Sequence, residues 1–436
     1  MSFQQAVSGL NATSRNLDVI GNNIANASTI GAKSSRVEFA DMYATAMAGS
    51  KQPGVGVTVA AVAQSFSQGS ISSTSNPLDL AISGEGFFQV KTSDAVHYTR
   101  NGQFKLDAKG YIVNNQNHKL MGYPPNVTGD SVLTGNAQEL QLSSSAIPPE
   151  QTQNVTVNAN LDSRNPTISA TFDPLKSETY SSATSVNAYD INGKRIQLTL
   201  YFQKAPTPAS TNAGDTDWWN VYAKANDTVI TDGSGAPLSL MTMTFDAKGL
   251  APTGPVMATV GGVANSANRV ATMDLDIPPS TGADGGTQAV QGVVLDLASF
   301  SQFASTFGVT KLDADGYAAG ALTNVVVEST GTIKANFTNG KQRTIGQIEL
   351  ATFQNRNGLQ ALGGNEWQSS TEAGSAVTGV PGSGNLGALQ TSSLEESNVD
   401  LTSELVSMMI AQRTYQANAQ TIKTQDQVLQ TLVNMR

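Results

Sequence analysis

The two ends of this 436-residue chain carry a spacing that its middle lacks. Phe3, Val7, Leu10, Leu17 and Ile24 fall on one alternating four-three seam, with Ser14 and Gly21 in its vacant places. Leu401, Leu405, Met408, Tyr415, Ala419, Ile422, Leu429 and Val433 repeat the seam at the other end, with Gln412 and Asp426 as polar members. This is the heptad of a helix that packs along another helix. It predicts an N-terminal helix in residues 1–30 pairing with a C-terminal helix in 394–436. From Leu401 to Met435 the second would run about 50 Å, too long for burial in a small domain and suited to a rod in a bundle. Whatever folds between must return its ends to one place.

The first helix is weak by itself. Gly9 and Gly21 each cost about 1 kcal/mol relative to alanine, and Asn, Ser and Thr several tenths. Five seam residues half buried against one neighbour return about 1 kcal/mol apiece. The near cancellation predicts a segment disordered in the isolated chain and ordered when adjoining subunits cover it.

Between the ends the pattern is β. Gly84-Glu85-Gly86-Phe87-Phe88 reads as a turn entering a strand, and Tyr98-Thr99-Arg100 as the start of another. Ile196, Leu198, Leu200 and Phe202 alternate with polar residues, as do Met241, Met243 and Phe245. The form Asp-Ala-x-Gly recurs at Asp107, Asp246 and Asp313 and suits a type I hairpin turn ending in a left-handed glycine. Pro148-Pro149 marks a boundary. The expected organisation is an outer β-domain in 76–148 and 323–364, a second β-domain inserted at 149–322, and irregular linkers at 31–75 and 365–393. The final helix begins near Asn398 or Asp400, either of which can cap it. The fold class is mainly β with α-helical termini paired as an antiparallel coiled coil.

Composition closes off several function classes. A net charge of −9 with no Lys/Arg cluster excludes a nucleic-acid footprint. Without cysteine there is no disulfide, thiol nucleophile or Cys-based metal site. The N-terminus lacks the basic region and apolar core of a cleavable secretory signal. No stretch approaches the ~18 apolar residues of a membrane helix, so no membrane insertion is expected. Charged residues are only 14%, against about 25% in ordinary soluble domains, so small polar side chains cover much of the surface.

Searches for chemistry give no catalytic, cofactor-binding or metal-ligating set. His97 and His118 lie far along the chain from any serine or carboxylate cluster at catalytic spacing, and His97 beside Tyr98 reads as a strand residue. Asp313-Ala314-Asp315-Gly316 has the opening of a calcium loop but lacks the further acidic ligands and closing Glu. Trp218-Trp219 could form a carbohydrate platform, yet neighbours on a strand face opposite ways, so at most one is outside.

Three segments resemble a known family. Asn16-Leu17-Asp18-Val19-Ile20-Gly21-Asn22-Asn23-Ile24-Ala25-Asn26 is similar to the N-terminal signature of bacterial flagellar rod, hook and hook-associated proteins. Ser397-Asn398-Val399-Asp400-Leu401 through Gln412-Arg413-Thr414-Tyr415-Gln416-Ala417-Asn418 resembles their C-terminal signature. Gly84 to Phe88 with Tyr98 to Phe104 resembles their shared β-domain motif. Length and the segments around Phe300, Tyr317 and Ile348 place the resemblance nearest the hook branch. One departure is Gly31-Ala32-Lys33, where the family usually carries an aromatic between Gly and Lys.

The resemblance implies a subunit exported unfolded through the flagellar type III channel and polymerised at the tip beneath a cap. Its implied partners are copies of itself, the rod, the hook cap and the junction proteins, in an extracellular flagellum. The expectation is a structural subunit, not an enzyme: a flexible tubular joint transmitting motor torque from rod to filament. Its terminal helices would line an inner tube and its β-domains would lie outside. Two other readings stay open: a distal rod or hook–filament junction protein, and a glycan-binding β-domain on a helical stalk.

Overall fold

A computed structural model describes residues 2–42, 56–92, 95–126, 132, 135–142, 146–206, 217–232, 235–245, 249, 272–279 and 286–434. Two long helices bound it, α1 (Ser2–Ala25) and α2 (Leu401–Asn434). Asp400, not Asn398, caps α2: its carboxylate accepts from Thr402 N at 2.9 Å and Ser403 N at 3.1 Å. The chain divides into two compact units. The first comprises 1–144, 323–336 and 342–436, and the second 145–322 with 337–341.

In the first unit, α1 packs on α2 and on an antiparallel ribbon of β1 (Ser35–Met42) and β2 (Gly56–Gln64). The sequence reading took 31–75 for an irregular linker. Val37/Phe39 and Val57/Val59 alternate at period two, but the alanines and serines along the two strands dilute the signal. The second expected linker, 365–393, likewise supplies short strands at 366–368, 377–379, 388–391 and 393–395, each annealed to an earlier part of the chain.

The same unit holds a 13-stranded sheet that includes β3 (Phe87–Lys91), β4 (Val96–Thr99), β5 (Lys119–Tyr123), β6 (Gln342–Ile348) and β7 (Glu366–Gln368). β3 pairs antiparallel with β4 and β5, β5 with β6, and β4 with β7. Phe87 packs edge-on against Phe66, Phe353 and Trp367, while Phe88 meets Phe104, so the Phe-Phe pair of the turn motif anchors both faces.

The second unit is two five-stranded sheets sharing one apolar core. Val155, Val157, Ala159 and Leu161 alternate inward on 154–162, as do Ile196, Leu198, Leu200 and Phe202 on 195–205. Trp219 is fully buried there and Trp218 is half-buried, as strand alternation requires.

Of the three Asp-Ala-x-Gly turns, the first is as expected. Gly110 has φ +84°, its N–H donates to Asp107 O at 3.0 Å, and Asp107 Oδ1 takes Lys109 N and Tyr111 N. Asp246 to Lys248 lie outside the described residues. The third is not a hairpin turn: 308–314 is a strand, and Asp315 instead accepts from Gln153 N, Asn154 N and Asn154 Nδ2 at 2.8–3.0 Å. Burial pushes Asp315 up, but the bonds from Asn154 and Gln153 outweigh it and hold the carboxyl below the usual aspartate value.

Candidate functional site

The helix pair is antiparallel with a fixed register. Asn23 Nδ2 donates to Glu404 Oε1 at 3.0 Å, and Gly9 lies against the Asn418 side chain, fourteen residues along on each helix. The same register sets Ser2 level with Gln425, so Asp426 to Asn434 run past the start of α1.

The residues on this contact are not the predicted seam. On α1 the inward row is Ala6, Gly9, Thr13, Asn16, Ile20 and Asn23, one position before the apolar seam and so rotated about 100° from it. Small and polar side chains let the helices approach closely: a Cβ on Gly9 would stand 2.9 Å from Asn418 Nδ2. Phe3 is 45% exposed, and Val7, Leu10, Leu17 and Ile24 are half-buried at the flank of the pair.

On α2 the same holds. Ala411 is buried at the contact, with Met408, Asn418 and Ile422 partly covered. Leu401, Leu405, Tyr415 and Leu429 are exposed, and the side chain of Val433 lies outside the described residues. The sequence reading missed Val406, Met409, Ile410 and Val428, which widen this apolar face and are 46–60% exposed. The signal was present: Val406, Met409 and Val428 stand beside seam positions, and with Ile410 they spread apolar residues round more of the helix than one partner can cover.

The signature asparagines do separate tasks. Asn22 and Asn26 close the end of α1, with Asn26 Nδ2 donating to Asn22 O at 3.0 Å. Buried Asn23 clamps β1 by accepting from Ser35 N at 2.9 Å and donating to Ser35 O at 2.8 Å. Asn398 accepts from Ser34 N at 2.7 Å and donates to Ser65 O and Ser67 Oγ, sewing the entry of α2 to both strands of the ribbon at its open end. Gln412 and Arg413 are exposed on α2.

Below the helices sits a buried ionic knot. Glu395 takes Lys33 Nζ on one oxygen at 2.6 Å and Arg100 Nη1 on the other at 3.0 Å, and its Oε1 also accepts from Gly69 N. All three charged side chains are out of solvent. Lys33 donates further to Ser67 O, Arg100 to Gly84 O. Burial pulls both bases below their ordinary values, with Glu395 opposing the shift. Three chain segments thus meet on the carboxylate of a fourth, and Gly84 joins them through Arg100. Gly31 approaches the Asn101 backbone in a left-handed conformation (φ +71°), where a Cβ would clash at 2.7 Å. Ala32, at the departure from the family pattern, is buried in the same place.

His97 lies on a strand, as the sequence reading has it, but the histidines have a shared partner that reading does not name. His97 and His118 converge on Glu366, with Nδ1 to carboxylate distances of 2.8 and 2.7 Å. Sequence distance concealed this, because β7 returns to β4 only after the insertion.

Among the described residues no helix is long and apolar enough to cross a membrane. Comparison with known proteins finds four family models along the chain. They are Flagella basal body rod protein at 3–33, Flagellar hook protein FlgE/F/G D1 domain at 81–160, Flagellar basal body protein FlaE D2 domain at 160–317, and Flagellar basal body rod FlgEFG protein C-terminal at 390–435. The chain is 38% identical to the flagellar hook protein FlgE of Escherichia coli over 439 residues, covering all of both chains. It is equally similar to that of Salmonella typhimurium, and 30% identical to that of Borreliella burgdorferi over all of this chain and 99% of the relative.

Proposed function

The chain belongs to the flagellar hook protein family, and from that membership we propose that it is the repeating subunit of a hook, a curved tube that carries motor torque from rod to filament. The observation that bears most weight is the division of labour on the terminal helices. Small and polar residues join α1 to α2, while apolar side chains stay half-covered along α1 and largely exposed along α2. A helix pair of this kind gains by packing beside other pairs, and the free face is that of Phe3, Val7, Leu10, Leu17, Ile24, Leu401, Leu405, Tyr415 and Leu429, widened by Met409 and Ile410. Met408, Ile422 and Val433 complete the proposed interface.

In this reading the helix pairs line the tube, and the β-domains meet their neighbours through small polar side chains. Contacts of that kind can slide with little charge desolvation cost as the tube bends. Copies of itself, the rod, the cap and the junction proteins are the partners, with type III export as the route to an extracellular position. The outer β-domain takes 76–148 and 323–364, and the insertion 149–322.

Ile410→Asp tests the reading. Ile410 is 60% exposed in the single chain, so the variant should keep the melting temperature of the parent yet form no tubes by electron microscopy. Tubes of normal length from that variant would refute the interface. Two matching family models also name rod proteins, which favours a second reading as a straight rod segment. Curved assemblies from the purified protein would decide for the hook, straight ones for the rod.

A further inference from the structure

Glu366 opens β7 with its side chain 5% exposed, and among the described residues its ion-pair partners are the two histidines. His97 stands on β4 and His118 immediately precedes β5. His97 Nδ1 faces Oε2 at 2.8 Å, and His118 Nδ1 faces both oxygens at 2.7 and 3.0 Å. The imidazole planes stand edge to face with centroids 5.5 Å apart, and one ligating atom from each of the three side chains lies within 4.8 Å of the others.

Asn114 organises the cluster from behind. Its Nδ2 donates to Glu366 Oε1 at 2.7 Å, while its Oδ1 accepts from Gln116 N and His118 N, shaping the turn that presents His118. An oriented carboxylate and a preset imidazole are what a metal centre asks of its surroundings.

From this geometry we propose that His97, His118 and Glu366 form a binding site for a divalent first-row transition cation, with Zn²⁺ as the fitting probe. Two imidazoles and one carboxylate match Zn²⁺, Ni²⁺ or Cu²⁺, whereas Ca²⁺ and Mg²⁺ select oxygen-only sets. Zinc bonds near 2.0–2.2 Å place tetrahedral ligand atoms about 3.3 Å apart, so the two His–Glu pairs need to open by about half an ångström and the two imidazole nitrogens, within 4.8 Å of each other, need to settle at the same spacing. To bind the cation each imidazole presents its Nδ1 lone pair and carries its hydrogen on Nε2. His97 and His118 side chains are 16% and 21% exposed, which gives the cation an approach and leaves its fourth position to water.

The ligands span 269 and 248 residues of sequence, so the cation joins strands made before the insertion to one made after it. A ligand that binds only the folded chain raises its melting temperature, and the rise grows with the logarithm of free ligand above Kd.

The test uses the full chain stripped of metal by chelation. Calorimetric titration with Zn²⁺ should show one equivalent bound, and Co²⁺ should give the visible absorption of a four-coordinate centre. Replacing both ligands, His97→Gln with His118→Gln, should weaken Zn²⁺ at least tenfold and abolish the Co²⁺ spectrum, with far-ultraviolet circular dichroism unchanged. If the double variant loses structure, His118→Asn alone, at the more exposed ligand, must still produce the tenfold loss. No stoichiometric uptake, uptake undiminished by these changes, or preference for Ca²⁺ over Zn²⁺ would overturn the site.

Discussion

A buried carboxylate held between a lysine and an arginine is costly to desolvate, and removing one member costs more than the assembled group is worth. Glu395→Gln would leave Lys33 and Arg100 buried without a counter-charge, so unfolding in denaturant should show a loss of about 3–5 kcal/mol. A loss below a tenth of that would mean water reaches the knot. Tyr123 gives a pH signature of its own. Burial first, and then its bond to Glu349 at 2.7 Å, raise the phenol to about 12 from 10.0. A phenol raised on folding binds its proton more tightly in the folded chain. Its stabilisation is therefore complete below pH 10 and fades as pH climbs towards 12. Tyr123→Phe should flatten the alkaline fall in stability over that window, read by thermal melting. Neither feature was legible beforehand. Lys33 and Arg100 stood in separate motifs and Glu395 in none, and only the fold brings together charges 295 and 362 residues apart.

At the level of elements, the heptad period was read from sequence but its phase was not. Periodicity finds an apolar face, and a helix with two neighbours has two faces. Here the contact within the chain went to Ala6, Gly9 and Thr13, whose small size permits close approach. The more apolar row was left half-covered, with Phe3 exposed, and no hydropathy pattern ranks a glycine face above a leucine face. The ribbon of β1 and β2 escaped for a related reason, its alternation being diluted by alanine and serine. It also changes the energetics of α1, because the sequence tally credited one neighbour helix and omitted this second support. Gly9→Leu should force α1 from Asn418 and lower the melting temperature, an overpacking cost of about 1–3 kcal/mol. Asn418→Ala on that background should restore part of it. Independent, additive losses would show that the two residues do not touch.

For the whole molecule, the inserted sandwich was the most legible part: strict alternation at 195–205 and 241–245 supplies much of its core. Its parallel pairings of 154–162 with 290–296 and 301–303 were beyond sequence, since register across such separations is set by packing. Amide exchange should separate the regions. Backbone groups at Leu198, Leu200 and Val221 should exchange slowest in dilute protein. The first turns of α1 should exchange fast there and gain protection in assembled tubes. Equal protection of those turns in both states would remove the case for ordering by neighbours. One further consequence belongs to the register of α1 and α2. At one end of the pair Leu401 is level with the close of α1, and Asn23 and Asn398 tie that end to the ribbon, so the two ends are unlike. Copies of such an object that stack head to tail build a vectorial array, with a growing tip chemically distinct from its root.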